Sequence, residues 1–189
     1  MSTLTYREGL PNFFILGAPK CGTTALFQYL EQHQDVFMSA AKEPHYFATD
    51  LKAPMYVQDT DRYVALFRDW AGEKAVGEAS PLYLYSEDMA AGIAAYKPDA
   101  KVIIMLRDPV DTAYSLHSGL VANGREDLKD FGAALAAEAG RKDGSTSARQ
   151  AVPPSVVHYR EVVRYDVQLE RLYAHLAPEN VMVIFYEDF

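Results

Sequence analysis

The chain has a single cysteine, Cys21, and a single tryptophan, Trp70. A lone cysteine cannot close an internal disulfide, so the fold has to hold without covalent staples, as expected in a reducing compartment. No apolar run approaches the ~18 residues that a membrane-spanning helix needs. The opening residues MSTLTYREGLPNFF lack the basic stretch followed by an apolar one that marks a secretory leader. These absences together set the expected location as cytoplasmic. Positive charge is scarce as well, with 18 Lys and Arg against 26 Asp and Glu and a formal charge of −8. That balance argues against a general nucleic-acid binder, which needs a basic face, and gives no support to a highly sulfated polyanion as ligand. His33, His117, His158 and His175 fall at no metal-ligand spacing, so no metal is expected.

What is present suits one globular domain spanning residues 1–189, with 49% hydrophobic and 23% charged residues. Apolar strand-like runs alternate with helical patterns, which predicts an α/β fold: a central parallel sheet flanked by helices in three layers. The expected strands are Phe13–Leu16, a short one near Val36–Met38, Lys74–Glu78, Lys101–Leu106 and Val181–Tyr186. The expected helices are Gly22–His33, Asp61–Trp70, Glu87–Tyr96, Pro109–Val121, Leu128–Ala139 and a long Ser155–Leu176. Arg141–Pro154 reads as a loop or lid.

The stretch FFILGAPKCGTT, Phe13 to Thr24, joins a strand to a helix through a glycine-bounded loop. Free amides at a helix start, with the helix dipole behind them, make an anion site, and Lys20 adds a full charge. A Walker A loop places its lysine directly after the second glycine. Here Thr23 holds that position and the lysine lies inside the loop. The strand Lys101–Leu106 ends in Arg107-Asp108-Pro109, a cation where an ATPase would present a metal-binding acid. Asp108 fits as a helix N-cap with Pro109 in the first turn.

These segments resemble sulfotransferases that use 3′-phosphoadenosine 5′-phosphosulfate (PAPS). GAPKCGTTAL looks like the family's 5′-phosphosulfate loop, which makes Lys20, Cys21, Gly22, Thr23 and Thr24 the candidate cofactor contacts. RDPVDTAYS looks like its 3′-phosphate motif, matched by Arg107 and Ser115. Lys42-Glu43-Pro44-His45-Tyr46-Phe47 resembles a segment of the carbohydrate (heparan-type) branch in which the glutamate is the catalytic base. Gly77-Glu78-Ala79-Ser80-Pro81 resembles a segment lining the same cleft. The family ordinarily continues past this point into a basic loop that closes over the cofactor, so a chain ending at Phe189 is expected to be a fragment or a short member.

The resemblance implies a P-loop-like fold and transfer of a sulfuryl group from PAPS, without a metal, to a hydroxyl or amine of a small molecule or glycan, leaving 3′-phosphoadenosine 5′-phosphate (PAP). Lys20 and Glu43 are the implied catalytic residues. A glutamate can act as base if burial lifts its pKa toward ~6–7, and the Pro- and aromatic-rich loop is expected to provide that burial. His45 is the competing base. Lys42, His45, Glu78 and Ser80 are the candidate acceptor-cleft residues, and Cys21 is a loop residue rather than a nucleophile. Each has a plain structural alternative: Thr23 and Thr24 as helix caps, Glu43 paired with Lys42, Arg107 bonded to Asp108 or to helix carbonyls, Ser115 bonded to its own helix. A nucleotide kinase or NTPase, and a non-catalytic nucleotide-binding domain, remain the competing functions.

Overall fold

A computed structural model describes residues 4–146 and 151–189. Among these residues five strands, β1 (Phe13–Gly17), β2 (Val36–Met38), β3 (Ala75–Ala79), β4 (Lys101–Leu106) and β5 (Val181–Phe185), form one sheet in the order β2-β3-β1-β4-β5. Every pairing is parallel. Strands covered on both faces need apolar side chains at successive positions. β1 supplies them with Phe14, Ile15 and Leu16, and β4 with Val102, Ile104 and Met105, all buried. Gly77 of β3 makes room for its neighbour: a Cβ there would lie 2.1 Å from the Phe13 ring.

The helices are α1 (Thr23–Glu31), α2 (Thr60–Ala65), α3 (Met89–Tyr96), α4 (Pro109–Ala122), α5 (Phe131–Ala136), α6 (Glu138–Lys142), α7 (Tyr159–Val162) and α8 (Tyr165–Tyr173). None of the described helices is long and apolar enough to cross a membrane. Chain order fixes where a crevice opens. After β1 the chain turns toward β2 and β3, and after β4 it turns the other way toward β5. The carboxyl ends of β1 and β4 therefore flank the switch point, where open parallel sheets bind ligands.

The predicted strands and the parallel sheet match the structure to within a residue or two, while three helices differ. The expected helix over 61–70 shortens to α2: Asp59 sets its start by accepting the Arg62 amide at 2.8 Å, and after Ala65 the chain runs through tight turns. The helix over 128–139 starts later, at α5, with Asp130 accepting the Ala133 amide at 2.8 Å. It is followed by α6, which takes in Arg141 and Lys142 from the expected loop. Residues 147–150 of that loop lie outside the described residues.

The long helix over 155–176 is the largest difference. It divides into a short 3-10 turn, Pro154–Val157, then α7 and α8, with breaks at His158 (ψ 68°) and Arg164 (ψ 64°). The carbonyls freed at the second break are satisfied by one side chain, since Gln168 Nε2 donates to Glu161 O at 3.0 Å and Val162 O at 3.1 Å. The breaks let Tyr159 donate to buried Glu126 at 2.7 Å while Tyr165 reaches the Cys21 thiol at 3.9 Å. The apolar stripe read from sequence survives the breaks, with Val162, Leu172 and Leu176 buried.

Candidate active site

β1 ends at Gly17 (φ 137°), and the loop after it alternates direction. Lys20 (φ 65°) and Gly22 (φ 87°) both take left-handed backbone, so Lys20 points out and Cys21 points in. Left-handed backbone costs a non-glycine residue, and such residues concentrate where geometry matters more than stability. Gly22 is the N-cap of α1 and offers no side-chain cap. A Cβ on it would come within 3.2 Å of Met105 Cε. The amides of Thr23, Thr24 and Ala25 precede the first helical acceptor pair, Leu26 N to Gly22 O, and so have no partner within the helix. The N-cap position is held by Gly22, and Thr23 and Thr24 are the first two residues of α1.

Arg107 stands at the tip of β4. Asp108 behind it accepts the amides of Val110 and Asp111 at 2.9 and 3.0 Å, with Pro109 in the first turn of α4 as the sequence predicts. Arg107 gives one nitrogen to Asp111 at 3.1 Å and lies over the Tyr186 ring, 5.0 Å from its centre. Its other side-chain donors make no hydrogen bond or ion pair among the described residues. Ser115 makes no hydrogen bond to its helix among the described residues, unlike Ser118, which donates to Tyr114 O at 2.9 Å.

A cleft of about 620 Å³ joins these parts. Lys20, Gly22, Thr23, Thr24, Lys42, Glu43, Arg107 and Ser115 all line it, brought together from β1, β4, α1, α4 and the loop after β2. The amine of Lys20 lies against α4 at Gly119, 3.5 Å from where a Cβ would stand, and forms no ion pair among the described residues.

Four residues expected in this cleft are not among those that line it. Cys21 is fully buried, with its thiol 3.5 Å from Pro19 O and 3.6 Å from Thr112 Oγ1, and burial pushes its pKa up. The other three, His45, Glu78 and Ser80, form a layer behind the cleft. Glu78 is fully buried at the end of β3. It accepts hydrogen bonds from Tyr83 at 2.6 Å, Tyr63 at 3.1 Å and Ser80 at 3.3 Å. Burial pushes its pKa up to about 7, against the pull of those three hydroxyls. Ser80 Oγ in turn accepts the His45 amide at 3.0 Å, and Tyr83 Oη accepts the Phe47 amide at 3.2 Å. The layer thus pins the loop that carries Glu43.

Glu43 (φ 64°) and His45 (φ 51°) both hold left-handed backbone in that loop. His45 Nδ1 donates to Glu43 O at 2.8 Å, its ring stacks on Tyr56 at 4.1 Å, and its buried Nε2 has no partner. Burial lowers its pKa to about 4, so it is a neutral packed ring near pH 7. The Glu43 side chain is 51% exposed and 2.9 Å from Lys42 Nζ, so the expected burial falls on Glu78 instead of Glu43. The cleft also contains residues that sequence reasoning missed: Met55, Tyr56, Arg125, Val152, Val156 and Tyr186. Only Tyr186 carried a signal, as the final residue of the last expected strand.

A family model described as the sulfotransferase domain matches residues 10–189. The chain belongs to the sulfotransferase family. A sulfotransferase from Alicyclobacillus acidocaldarius, known from a crystal structure, is 38% identical with a TM-score of 0.85, over 95% of this chain and 74% of that one. The human heparan sulfate glucosamine 3-O-sulfotransferase 3B1 is 32% identical over 126 residues, 65% of this chain and 30% of its own length. Mouse sulfotransferase SULT7A1, solved in complex with PAP, is 18% identical with a TM-score of 0.57, over 97% of this chain and 53% of that one, and shows the fold alone. The chain spans 22% to 30% of the length of the curated relatives it matches.

For a sulfotransferase nucleotide the donor set fits. An uncapped helix start and a lysine face the cleft from β1, and an arginine with free donors faces it from β4. The glycine at the helix start leaves a cradle that a side chain would partly fill. Among the described residues no cluster of His, Cys, Asp and Glu could hold a metal ion.

Proposed function

We propose that this sulfotransferase-family chain moves a sulfuryl group from PAPS to a hydroxyl or amine of a carbohydrate or small-metabolite acceptor. The observation that carries the reading is the placement of Lys20 and Arg107 in one cleft at the tips of the neighbouring strands β1 and β4. The amides of Thr23 and Thr24, their hydroxyls and Lys20 would hold the 5′-phosphosulfate. Arg107, by a two-pronged contact, and Ser115 would hold the 3′-phosphate. The cofactor, when bound, supplies the activated sulfuryl group. Lys20 sets fixed positive charge against the phosphate oxygen on which negative charge grows, and the α1 amides add to it without reorganisation. Glu43 accepts the acceptor's proton, and Lys42, its ion-pair partner, holds the carboxylate at the cleft wall. The layer built on Glu78 keeps that wall in place.

Removing one preorganised donor costs about 2.7–4 kcal/mol of transition-state stabilisation. Lys20→Ala is therefore expected to lower the rate of PAP release from PAPS plus acceptor by at least about a hundredfold. Glu43→Gln is expected to abolish transfer while PAP still binds. Near-parental turnover in Lys20→Ala, or loss of transfer in His45→Ala with Glu43→Gln still active, contradicts the reading.

A further inference from the structure

The length of α4 grades the cleft. Ser115 lies midway along it, and the Lys20 amine rests against Gly119, four residues or about 6 Å further along the axis. Leu120 follows, and the helix then closes in a Schellman turn. Gly124 takes φ 67° and donates to Val121 O at 3.1 Å, and Arg125 donates its amide to Leu120 O at 2.8 Å. Arg125 therefore lines the cleft from just past the C-terminal end of α4, beyond Gly119 in the chain. Its guanidinium has no hydrogen bond or ion pair among the described residues, although it lines the cleft. Its backbone is held on the other side too. The next residue, Glu126, is fully buried, paired with Arg141 through two bonds of 2.8 Å, and accepts from Tyr159 at 2.7 Å.

The lining of the cleft that holds this cation includes apolar Met55, Leu82, Leu120, Val152 and Val156, and Tyr56 lies within electrostatic reach of both Arg125 and Glu43. Lys42, another cation of the lining, is already paired with Glu43. A polyanionic chain needs a row of unpaired cations, and this end presents one, on a protein of formal charge −8.

Resting on the sulfotransferase reading, we propose that the Arg125 end of the cleft is an acceptor subsite for a mostly apolar, hydroxyl-bearing molecule with one carboxylate. In this arrangement Arg125 takes the carboxylate, the apolar walls take the body, and the hydroxyl meets Glu43.

Calorimetry on the PAP-loaded protein tests this, with three probes: para-hydroxyphenylacetate, its methyl ester and a heparin oligosaccharide. A carboxylate bonded to a guanidinium contributes about 1.5–3 kcal/mol, so the acid is expected to bind at least about tenfold more tightly than its ester. The oligosaccharide is expected to bind more weakly than either. Arg125→Gln is expected to erase the difference between acid and ester, and Arg125→Lys to restore part of it, with PAP affinity unchanged in both. Equal binding of acid and ester, tighter binding of the oligosaccharide, no binding of any probe, or an acid preference that survives Arg125→Gln each overturns the subsite. Failure of PAP itself to bind overturns the sulfotransferase activity instead, so the two failures are told apart.

Discussion

At the scale of single residues, Glu78 and His45 show how a charge placed behind a site can govern stability without touching a ligand. Glu78 has a pKa raised from an ordinary 4.5 to about 7 by burial. Its contribution to stability is complete below pH 4.5 and is lost as pH rises through 7. The pKa of His45 is lowered from 6.5 to about 4, also by burial. Its contribution is complete above pH 6.5 and is lost as pH falls through 4. Between roughly pH 4.5 and 6.5 the two slopes oppose each other. Glu78→Gln removes one of them, so relative to the parent its stability is expected to fall more steeply on acidification across that window. His45→Gln is expected to fall more steeply on going alkaline. Each change amounts to up to about 3 kcal/mol at the end of the window. Urea-unfolding midpoints measured across the range check this; three parallel curves contradict it. The same residues mark a limit of sequence reading. Glu43 and Glu78 both sit in segments that match the family, and only the packing of Tyr63 and Tyr83 around one of them decides which carboxylate is buried.

At the scale of elements, what could be read from sequence was local. β1, its glycine loop and α1 follow from consecutive residues, as does the start of α4, where Asp108 and Pro109 carry the whole signal. Asp108→Ala removes the carboxylate oxygen that accepts two amides and is expected to cost about 1–2 kcal/mol, read as a lower denaturation midpoint; an unchanged midpoint contradicts that role. The break between α7 and α8 could not be read, because the apolar stripe of Val162, Leu172 and Leu176 is intact across it. Tertiary contacts hold the earlier break at His158, where Tyr159 donates to Glu126 and Arg160 to Glu138 through both its amide at 2.9 Å and its guanidinium at 2.7 Å, while at the break between α7 and α8 the Gln168 side chain takes up the carbonyls of Glu161 and Val162. The left-handed turns at Glu43 and His45 were hidden for a similar reason. Nothing in Lys42-Glu43-Pro44-His45 favours positive φ; the bonds to Ala79 O, Ser80 and Glu43 O impose it.

At the scale of the whole molecule, the formal charge of −8 describes the surface and not the cleft. Lys20, Lys42, Arg107 and Arg125 converge there because the sheet order brings the tips of β1 and β4 together and α4 runs along one wall. Fold alone supports many chemistries; the pairing of two cation-bearing strand tips is what favours a nucleotide with phosphates at both ends. The central claim is that Arg107 and Ser115 form a 3′-phosphate site distinct from the Lys20 loop. Calorimetric titration with PAP against adenosine 5′-phosphate tests it most directly, because the two ligands differ only in the 3′-phosphate. The account predicts that PAP binds at least about tenfold more tightly, and that Arg107→Ala removes the difference while leaving adenosine 5′-phosphate affinity in place. Equal affinity for the two, or a preference for ATP that depends on magnesium, would contradict it.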